Sequence, residues 1–129
     1  MRLLLDTQIA LWWLVGSARL KRAVRERIAA AECFVSVASV WEVAIKHRIG
    51  KLPVAPGIFA REMRDGGAVI LPVSDAHATA YARLPAGHGD PFDLLLLAVA
   101  QTERLQFLTA DAALRRFAQT IRGLAAAAP

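Results

Sequence analysis

Short apolar runs alternate with helix-like segments along almost the whole chain, and this alternation constrains the fold more than any other feature. Four runs have the composition of buried strands: residues 2–5, 33–37, 68–71 and 106–109. The segments between them repeat apolar residues at intervals of three and four, as amphipathic helices do. Strands that alternate with helices predict a parallel sheet covered by helices on both faces. We therefore expect a three-layer α/β/α fold with a central, mainly parallel sheet of four to five strands, the fifth at residues 120–122.

Periodicity and local start and stop signals predict the helices. Ser39 is the expected N-cap of one helix and Gly50 its stop, while Asp90 and Pro91 form a typical helix start. The predicted helices span residues 7–15, 18–31, 40–49, 56–64, 75–84, 91–103 and 112–119.

The length of 129 residues fits one domain, which we place at residues 1–123, with a disordered tail at residues 124–129. A single cysteine, Cys33, cannot form an internal disulfide and suits a reducing compartment. Asp6 and Gln8 interrupt the apolar opening too early for a signal peptide or a membrane anchor. The sequence therefore predicts a cytoplasmic protein that does not associate with membranes.

Four carboxylates stand where strands end or helices begin. Asp6 and Asp111 follow predicted strands, while Glu42 and Asp93 lie in the first turns of predicted helices. In open parallel sheets, ligands bind beyond the carboxyl ends of the strands, so these acids can meet there. Ordinary explanations also exist, because Asp93 suits the first turn of a helix and Glu42 can pair with Lys46. We expect the four acids to share one pocket.

Gathered carboxylates repel one another, by about 3 kcal/mol for two of them ~5 Å apart at an effective dielectric of about 20. A divalent cation removes that repulsion, and ligands that are all oxygen select Mg²⁺ or Mn²⁺. Zinc is disfavoured, because there is one cysteine and His47, His77 and His88 show no ligand spacing, which makes structural roles the expectation for them. The sequence therefore predicts that the four acids bind the metal and act as the catalytic residues of phosphodiester hydrolysis by activated water.

Polar neighbours of the acids are predicted to support the site. Thr7, Ser39 and Thr109 could position the attacking water or a phosphate, with capping and strand packing as their alternative roles. Asp90 precedes Asp93 by three residues and also suits an N-cap.

Basic residues predominate outside the expected pocket. The chain carries 16 Lys and Arg against 11 Asp and Glu, and Asp90 and the four acids of the pocket account for five of the 11. A basic body around an acidic spot suits a nucleic-acid polyanion, although a high isoelectric point can also simply favour solubility. The candidate RNA-binding residues are Arg22, Arg25, Lys46, Arg48 and Lys51. For Arg22 and Arg25, which belong to the predicted helix at residues 18–31, a solvated helix face is the alternative role.

Five short motifs occur in order over nearly the whole chain: Leu-Leu-Leu-Asp6-Thr7, Ser36 to Ser39 leading to Trp41-Glu42, Lys46 with Gly50-Lys51-Leu52, His88-x-Asp90-Pro91-Phe92-Asp93 and Leu108-Thr109-Ala110-Asp111. Together they resemble the motifs of PIN-domain toxins of the VapC family. The resemblance implies a small α/β/α PIN fold, a homodimer, and a Mg²⁺- or Mn²⁺-dependent ribonuclease of a type II toxin–antitoxin system. It also implies a cognate antitoxin whose tail can block the acidic site. The motif acids that match the family's metal-binding residues are Asp6, Glu42, Asp93 and Asp111.

Four positions depart from the family pattern. Arginine is common where Gly89 and Leu94 stand, histidine where Gln8 stands, and glutamine where Val99 stands. Because the acids are intact, these departures bear on RNA contacts, catalytic rate and dimer packing rather than on metal binding.

Other functions fit parts of the pattern. A housekeeping PIN nuclease of RNA processing would share the acidic pocket without needing an antitoxin. A non-catalytic RNA-binding protein would keep the acids for stability, and the missing arginine at Leu94 favours it. A phosphoryl-accepting receiver domain fits less well, because the acid pair expected after the first strand and a late lysine are absent.

Overall fold

Five strands and seven helices alternate along the chain, and the computed structural model describes residues 1–129. The strands are β1 (Arg2–Leu5), β2 (Glu32–Ser36), β3 (Val69–Leu71), β4 (Gln106–Leu108) and β5 (Ala126–Ala127). The helices are α1 (Thr7–Val15), α2 (Arg22–Ala30), α3 (Val37–Arg48), α4 (Pro56–Asp65), α5 (Asp75–Ala82), α6 (Pro91–Glu103) and α7 (Ala112–Ala118). None of these helices is both long and apolar enough to cross a membrane.

The strands form one fully parallel sheet in the order β3-β2-β1-β4-β5. In the centre, Leu3 of β1 lies opposite Cys33 of β2 and Gln106 of β4. The chain adds β2 and β3 on one side of β1 and then returns to add β4 and β5 on the other. The strand order therefore reverses between β1 and β4, where open sheets of this kind form a crevice. The predicted α/β class and parallel sheet are confirmed.

Side-chain alternation along the strands divides the core into two halves. In β1, Leu3 and Leu5 belong to one hydrophobic cluster and Leu4 to the other, because successive side chains of a strand point to opposite faces. The first cluster packs α1, α2 and α4 against the sheet, and the second packs α6 and α7. The predicted helix, sheet and helix layers follow from this division.

Residues 120–122 do not form the predicted edge strand. The N–H of Thr120 donates to the carbonyl of Phe117, which prolongs the last turn of α7, and Ile121 is buried in the second cluster. Gly123 then turns the chain with a φ of 78°, a conformation that favours glycine. The apolar character of this segment reflects core packing rather than strand pairing.

The C-terminal segment also differs from the prediction, because residues 124–129 supply β5 rather than a disordered tail. The carbonyl of Ala125 accepts from the N–H of Phe107 at 2.8 Å, and that of Ala127 accepts from Thr109 at 3.2 Å. These bonds use only backbone atoms, so alanine can make them despite its low strand propensity. The backbone groups along the outer edge of β4 therefore hold this segment as a strand, although its alanine side chains do not favour strand formation.

Two helices begin at residues other than those predicted. The N-cap of α3 is Ser36 rather than Ser39, because the Ser36 hydroxyl accepts from the N–H of Ala38 and Ser39 lies inside the helix. The helix expected from residue 18 begins as α2 at Arg22, because residues 17–20 form a turn.

Candidate active site

A pocket of about 340 Å³ opens at the carboxyl edge of the sheet, and all four candidate acids line it. Asp6 directly follows β1 and Asp111 closely follows β4. Glu42 lies in the second turn of α3 and Asp93 in the first turn of α6. The topology thus brings together residues that are far apart in sequence. The other residues that line this acidic pocket are Thr7, Gln8, Leu11, Lys46 and Ala110.

Asp6 is buried, with 9% of its surface exposed. Its Oδ1 accepts from the N–H of Thr7 at 2.8 Å, and its Oδ2 accepts from the hydroxyl of Thr109 at 2.6 Å. Burial, with added repulsion from Asp93 and Glu42, raises the pKa of Asp6 to about 6, although both hydrogen bonds oppose the rise. The protein therefore holds negative charges close together in a place where water cannot fully solvate them.

Glu42 is held by a hydroxyl and an ammonium group. Thr7 Oγ1 lies 2.9 Å from Glu42 Oε1 and 2.8 Å from Ser39 Oγ, which links α1 to α3. One arrangement of protons satisfies these groups: Ser39 donates to Thr7, and Thr7 donates to Glu42. Lys46 donates to Glu42 Oε2 at 2.8 Å from one turn further along α3. The expected pair of Glu42 and Lys46 is therefore present, and it lies inside the acidic pocket.

Asp93 receives a hydrogen bond from a histidine. His88 Nε2 lies 3.0 Å from Asp93 Oδ2, and the His88 ring stacks on Phe117 with 5.4 Å between the ring centres. Burial raises the pKa of Asp93 above its ordinary value, and the hydrogen bond from His88 partly opposes that rise. Asp90 and, to a smaller extent, Glu42 add repulsion that again favours the protonated form of Asp93.

Asp90 acts as the N-cap of α6 and does not line the acidic pocket. Its Oδ1 accepts from the N–H groups of Phe92 and Asp93, and Pro91 occupies the first turn as expected. The capping role considered for Asp90 is therefore confirmed. Asp90 supports the pocket by starting the helix that carries Asp93.

Asp111 caps α7 and is connected to Asp6 through Thr109. The Asp111 side chain accepts from the N–H of Leu114 at 3.0 Å. Its own N–H donates to Thr109 Oγ1 at 3.1 Å, and the same hydroxyl donates to Asp6. Thr109 is fully buried beneath the pocket, and its hydroxyl joins the end of β1 to the segment that follows β4.

The donor chemistry of the pocket fits a hard divalent cation. The four acids offer only carboxylate oxygens, and a cation would offset the burial and the mutual repulsion that raise the pKa values of Asp6 and Asp93. No three acidic, histidine or cysteine side chains form a ready-made ligand group in this structure. Each carboxylate instead accepts a hydrogen bond from a donor of the protein, which fixes the direction of its oxygens.

The candidate RNA-binding residues fall into two groups. Lys46 lines the acidic pocket, Lys51 lines an adjoining groove, and Arg48 is exposed near the end of α3. Arg25 instead donates to two backbone carbonyls in the connection between α1 and α2, which is a structural role. Arg22 pairs with a glutamate on the outer face of α2. Neither Arg22 nor Arg25 lines the acidic pocket, and α2 packs against one face of the sheet through Val24 and Ile28.

His88 is a residue of the site whose role the sequence reasoning missed. A lone histidine suggested a structural role, yet His88 contacts Asp93 directly. The available signal was its position two residues before the N-cap Asp90, where a loop side chain can reach back to the first turn of the helix. His77 does have the expected structural role, because it is buried and completes the capping box of α5.

Solved structures with a similar fold include toxin–antitoxin assemblies and an endonuclease domain. VapBC2 from Rickettsia felis, bound to a DNA fragment from its promoter, matches with a TM-score of 0.73 at 16% identity, covering 99% of this chain and 98% of that chain. A toxin–antitoxin complex from Klebsiella pneumoniae matches with a TM-score of 0.58 at 19% identity, covering 94% and 93%. The PIN domain endonuclease Utp24 matches with a TM-score of 0.60 at 14% identity, covering 99% and 84%. Curated protein sequences give no significant match.

The sequence itself matches the PIN domain over residues 3–119. This span contains the four acids and all of the helices and strands except Arg2, the first residue of β1, and the whole of β5. The structural matches share this fold at identities too low to carry function across. The chain belongs to the PIN-domain family, whose members are typically metal-dependent nucleases.

Proposed function

We propose that the protein is an endoribonuclease that hydrolyses RNA phosphodiester bonds with water activated by Mg²⁺ or Mn²⁺. The observation that carries this proposal is the convergence of four acids on one pocket at the carboxyl edge of the sheet. The excess of basic residues over acidic ones supports a polyanionic substrate.

The four acids would hold the cation, with Asp6 and Asp93 as the main ligands, Glu42 beside them and Asp111 acting directly or through water. When bound, the metal lowers the pKa of the attacking water and stabilises negative charge at the phosphate and the leaving 3′ oxygen. Thr109 holds the Asp6 carboxylate in place. The ammonium group of Lys46 reduces the repulsion between Glu42 and an approaching phosphate.

The proposed biological role is that of the toxin in a type II toxin–antitoxin system, with a cognate antitoxin as partner. The ordered motifs that resemble the VapC family support this role, and so does the fold shared with toxin–antitoxin complexes. An RNA-processing nuclease without an antitoxin is the second candidate, because the fold is equally shared with an endonuclease domain.

We also propose that the protein forms a homodimer. Helix α3 and its C-cap residue expose an apolar row at intervals of four residues, which we call the α3 stripe: Val37, Trp41, Ile45 and Ile49. Next to it lies a small apolar cavity of about 230 Å³, lined by Trp41, Tyr81, Pro91, Phe92 and Leu95. An apolar surface of this regularity suits a protein partner.

The nuclease function is tested by incubating the purified protein with RNA and Mg²⁺ or Mn²⁺. We expect cleavage by the native chain, loss of cleavage with EDTA, and loss of cleavage in Asp6→Asn. The control is Asp65→Asn, which changes an exposed acid away from the acidic pocket and should cleave normally. Cleavage that persists in both EDTA and Asp6→Asn would reject the proposal. RNA binding without products and without an effect of EDTA would indicate the non-catalytic alternative.

The toxin role is tested separately by expression in cells. Induction of the native chain should arrest growth, and induction of Asp6→Asn should not. Co-expression of a short neighbouring reading frame that encodes a DNA-binding protein with a flexible tail should restore growth. A nuclease active in vitro that leaves growth unaffected would favour the RNA-processing role.

A further inference from the structure

A second cavity, of about 350 Å³, adjoins the acidic pocket and shares Gln8, Leu11 and Lys46 with it. Helix α1 forms one wall of this cavity through Trp12 and Val15. The segment after α3 forms the other wall, and its lining residues are Lys51, Leu52, Pro53 and Val54. We call this cavity the lysine groove. It extends the acidic pocket into a continuous channel with an apolar floor.

The wall of the lysine groove after α3 is held in place by hydrogen bonds within the protein. The N–H of Lys51 donates to the carbonyl of Lys46 at 2.9 Å, which closes the end of α3. His47 Nδ1 lies 3.0 Å from the carbonyl of Leu52 and fixes the next residue. The groove is therefore formed in advance of any ligand, which reduces the entropy lost on binding.

The charges of the lysine groove are all positive. Lys46 lies at the junction with the acidic pocket, where it neutralises Glu42. Lys51 lies further out, is exposed, and has no acidic partner. Arg19 places its guanidinium 5.9 Å from the centre of the Trp12 ring, so a third cation borders the same wall. No acid lines the groove outside its junction with the acidic pocket.

We propose that the lysine groove is a subsite for one unpaired nucleoside of a single-stranded RNA, next to the phosphate that is cleaved. The base packs on the apolar floor beside Trp12, and the adjoining phosphate contacts Lys51. This inference deepens the proposed nuclease function and rests on it for the identity of the cleaved phosphate.

The combination of groups favours a nucleotide over an apolar peptide. Single-stranded nucleic acids are bound by cations that follow the backbone and by aromatic or apolar surfaces that take the bases. The lysine groove has both, because Lys46 and Lys51 supply the cations and Trp12, Leu52 and Val54 supply apolar surface that a base can contact only when it is not paired. The substrate is therefore a loop or another unpaired segment of RNA.

The test measures binding of a fluorescein-labelled single-stranded oligouridylate by fluorescence anisotropy, in EDTA so that the RNA is not cleaved. A set of oligonucleotides carries one abasic nucleotide at each position in turn. For the native chain, we expect one position at which base loss weakens binding by about tenfold, the effect typical of one stacked base. In the Trp12→Leu variant, loss of the base at that position should weaken binding no more than loss of the base at any other position.

Matched variants separate the groove from general charge and general stability. Trp13→Leu changes the neighbouring tryptophan, which packs near Gly66 on the other side of α1, and should keep the abasic profile. Lys51→Glu should weaken binding more than Arg122→Glu, which makes the same charge change at the opposite edge of the sheet. Lys51 is exposed, so this second comparison holds even where the tryptophan variants fold poorly.

The outcomes distinguish this inference from the function on which it rests. A flat abasic profile with equal effects of Lys51→Glu and Arg122→Glu would overturn the nucleoside subsite and leave a protein segment as the occupant of the groove. If the native chain still cleaves RNA with Mn²⁺, the nuclease function then survives alone. A position-specific abasic effect without any cleavage would support the subsite and reject the catalytic role.

Discussion

The buried carboxylate of Asp6 makes the stability of the folded chain depend on pH. Its pKa rises from 3.8 to about 6 on folding, so between these values the folded state keeps a proton that the unfolded state loses. The contribution of Asp6 to stability is therefore fully present below the unfolded pKa and is lost as the pH rises through the folded pKa. At higher pH the ionised group costs about 3 kcal/mol.

We predict that Asp6→Asn raises the free energy of unfolding by up to about 3 kcal/mol at pH 8, because it removes the buried charge. At pH 4 the gain should be a small fraction of that value. Urea denaturation of both proteins at both pH values, monitored by circular dichroism, measures these differences in the free energy of unfolding. Asp65→Asn, at an exposed acid, should show no such pH dependence. An Asp6→Asn protein less stable than the native chain at pH 8 would contradict the burial argument.

His88 is expected to orient Asp93 for cation binding. Partners of metal ligands typically contribute 10- to 100-fold to metal affinity, and His88 donates to Asp93 Oδ2 while its ring rests on Phe117. We predict that His88→Leu, which keeps an apolar contact but loses the hydrogen bond, weakens Mn²⁺ binding by roughly tenfold or more.

Isothermal titration with Mn²⁺ measures this effect without RNA. His88→Gln offers an amide donor and should recover part of the affinity, which a purely packing role for His88 would not allow. His77→Gln is the control, because His77 is a buried histidine whose carboxylate partner is Glu103 and which does not line the acidic pocket. Equal Mn²⁺ affinity in the native chain and His88→Leu would remove His88 from the site.

At the scale of elements, the sequence predicted best where several local signals agree. The bounds of α1 and α6 match the prediction to the residue, because a capping acid precedes each helix and apolar residues fill it. The acidic pocket was predictable for a topological reason: the ends of parallel strands meet at one edge whatever their sequence separation. The contacts of His88 and Arg25 could not be predicted from the sequence, because both depend on side-chain directions that tertiary packing sets.

Strand β5 escaped prediction because its bonds involve no side chain. We predict that removing residues 125–129 destabilises the protein by about 1–3 kcal/mol, since the pairing of β5 with β4 is lost together with the backbone bonds from Phe107 and Thr109. One of them holds Thr109, the partner of Asp6, so Mn²⁺ affinity should fall as well. Thermal unfolding with and without Mn²⁺ measures both effects.

A shorter deletion provides the control for this prediction. Removing only residues 128–129 keeps the carbonyls of Ala125 and Ala127 and loses a surface contact from Arg27. This deletion should have little effect. If both truncated chains are as stable as the native chain, the C-terminal segment contributes nothing to stability. That result is the one expected of a disordered tail.

In the whole molecule, α3 separates two surfaces of opposite character. Glu42 and Lys46 face the acidic pocket, whereas the α3 stripe is apolar and exposed. Trp41 of the stripe lies against Phe92, with 5.4 Å between ring centres, and Phe92 is the neighbour of Asp93 in sequence. A partner bound to the stripe would therefore contact Trp41, which packs on the residue next to Asp93.

We predict that the α3 stripe is the homodimer interface and that Ile45→Asp converts the dimer to a monomer. A charge at the centre of an apolar interface remains unpaired and desolvated, which costs several kcal/mol. By size-exclusion chromatography with light scattering, the native protein should have twice the 14.0 kDa mass of one chain, and the variant should have the mass of one chain. Val73→Asp introduces the same charge at an exposed apolar residue outside the stripe and should remain dimeric. A native chain that is monomeric at all concentrations, or a dimer that survives Ile45→Asp, would contradict this interface and leave the stripe for a different protein partner.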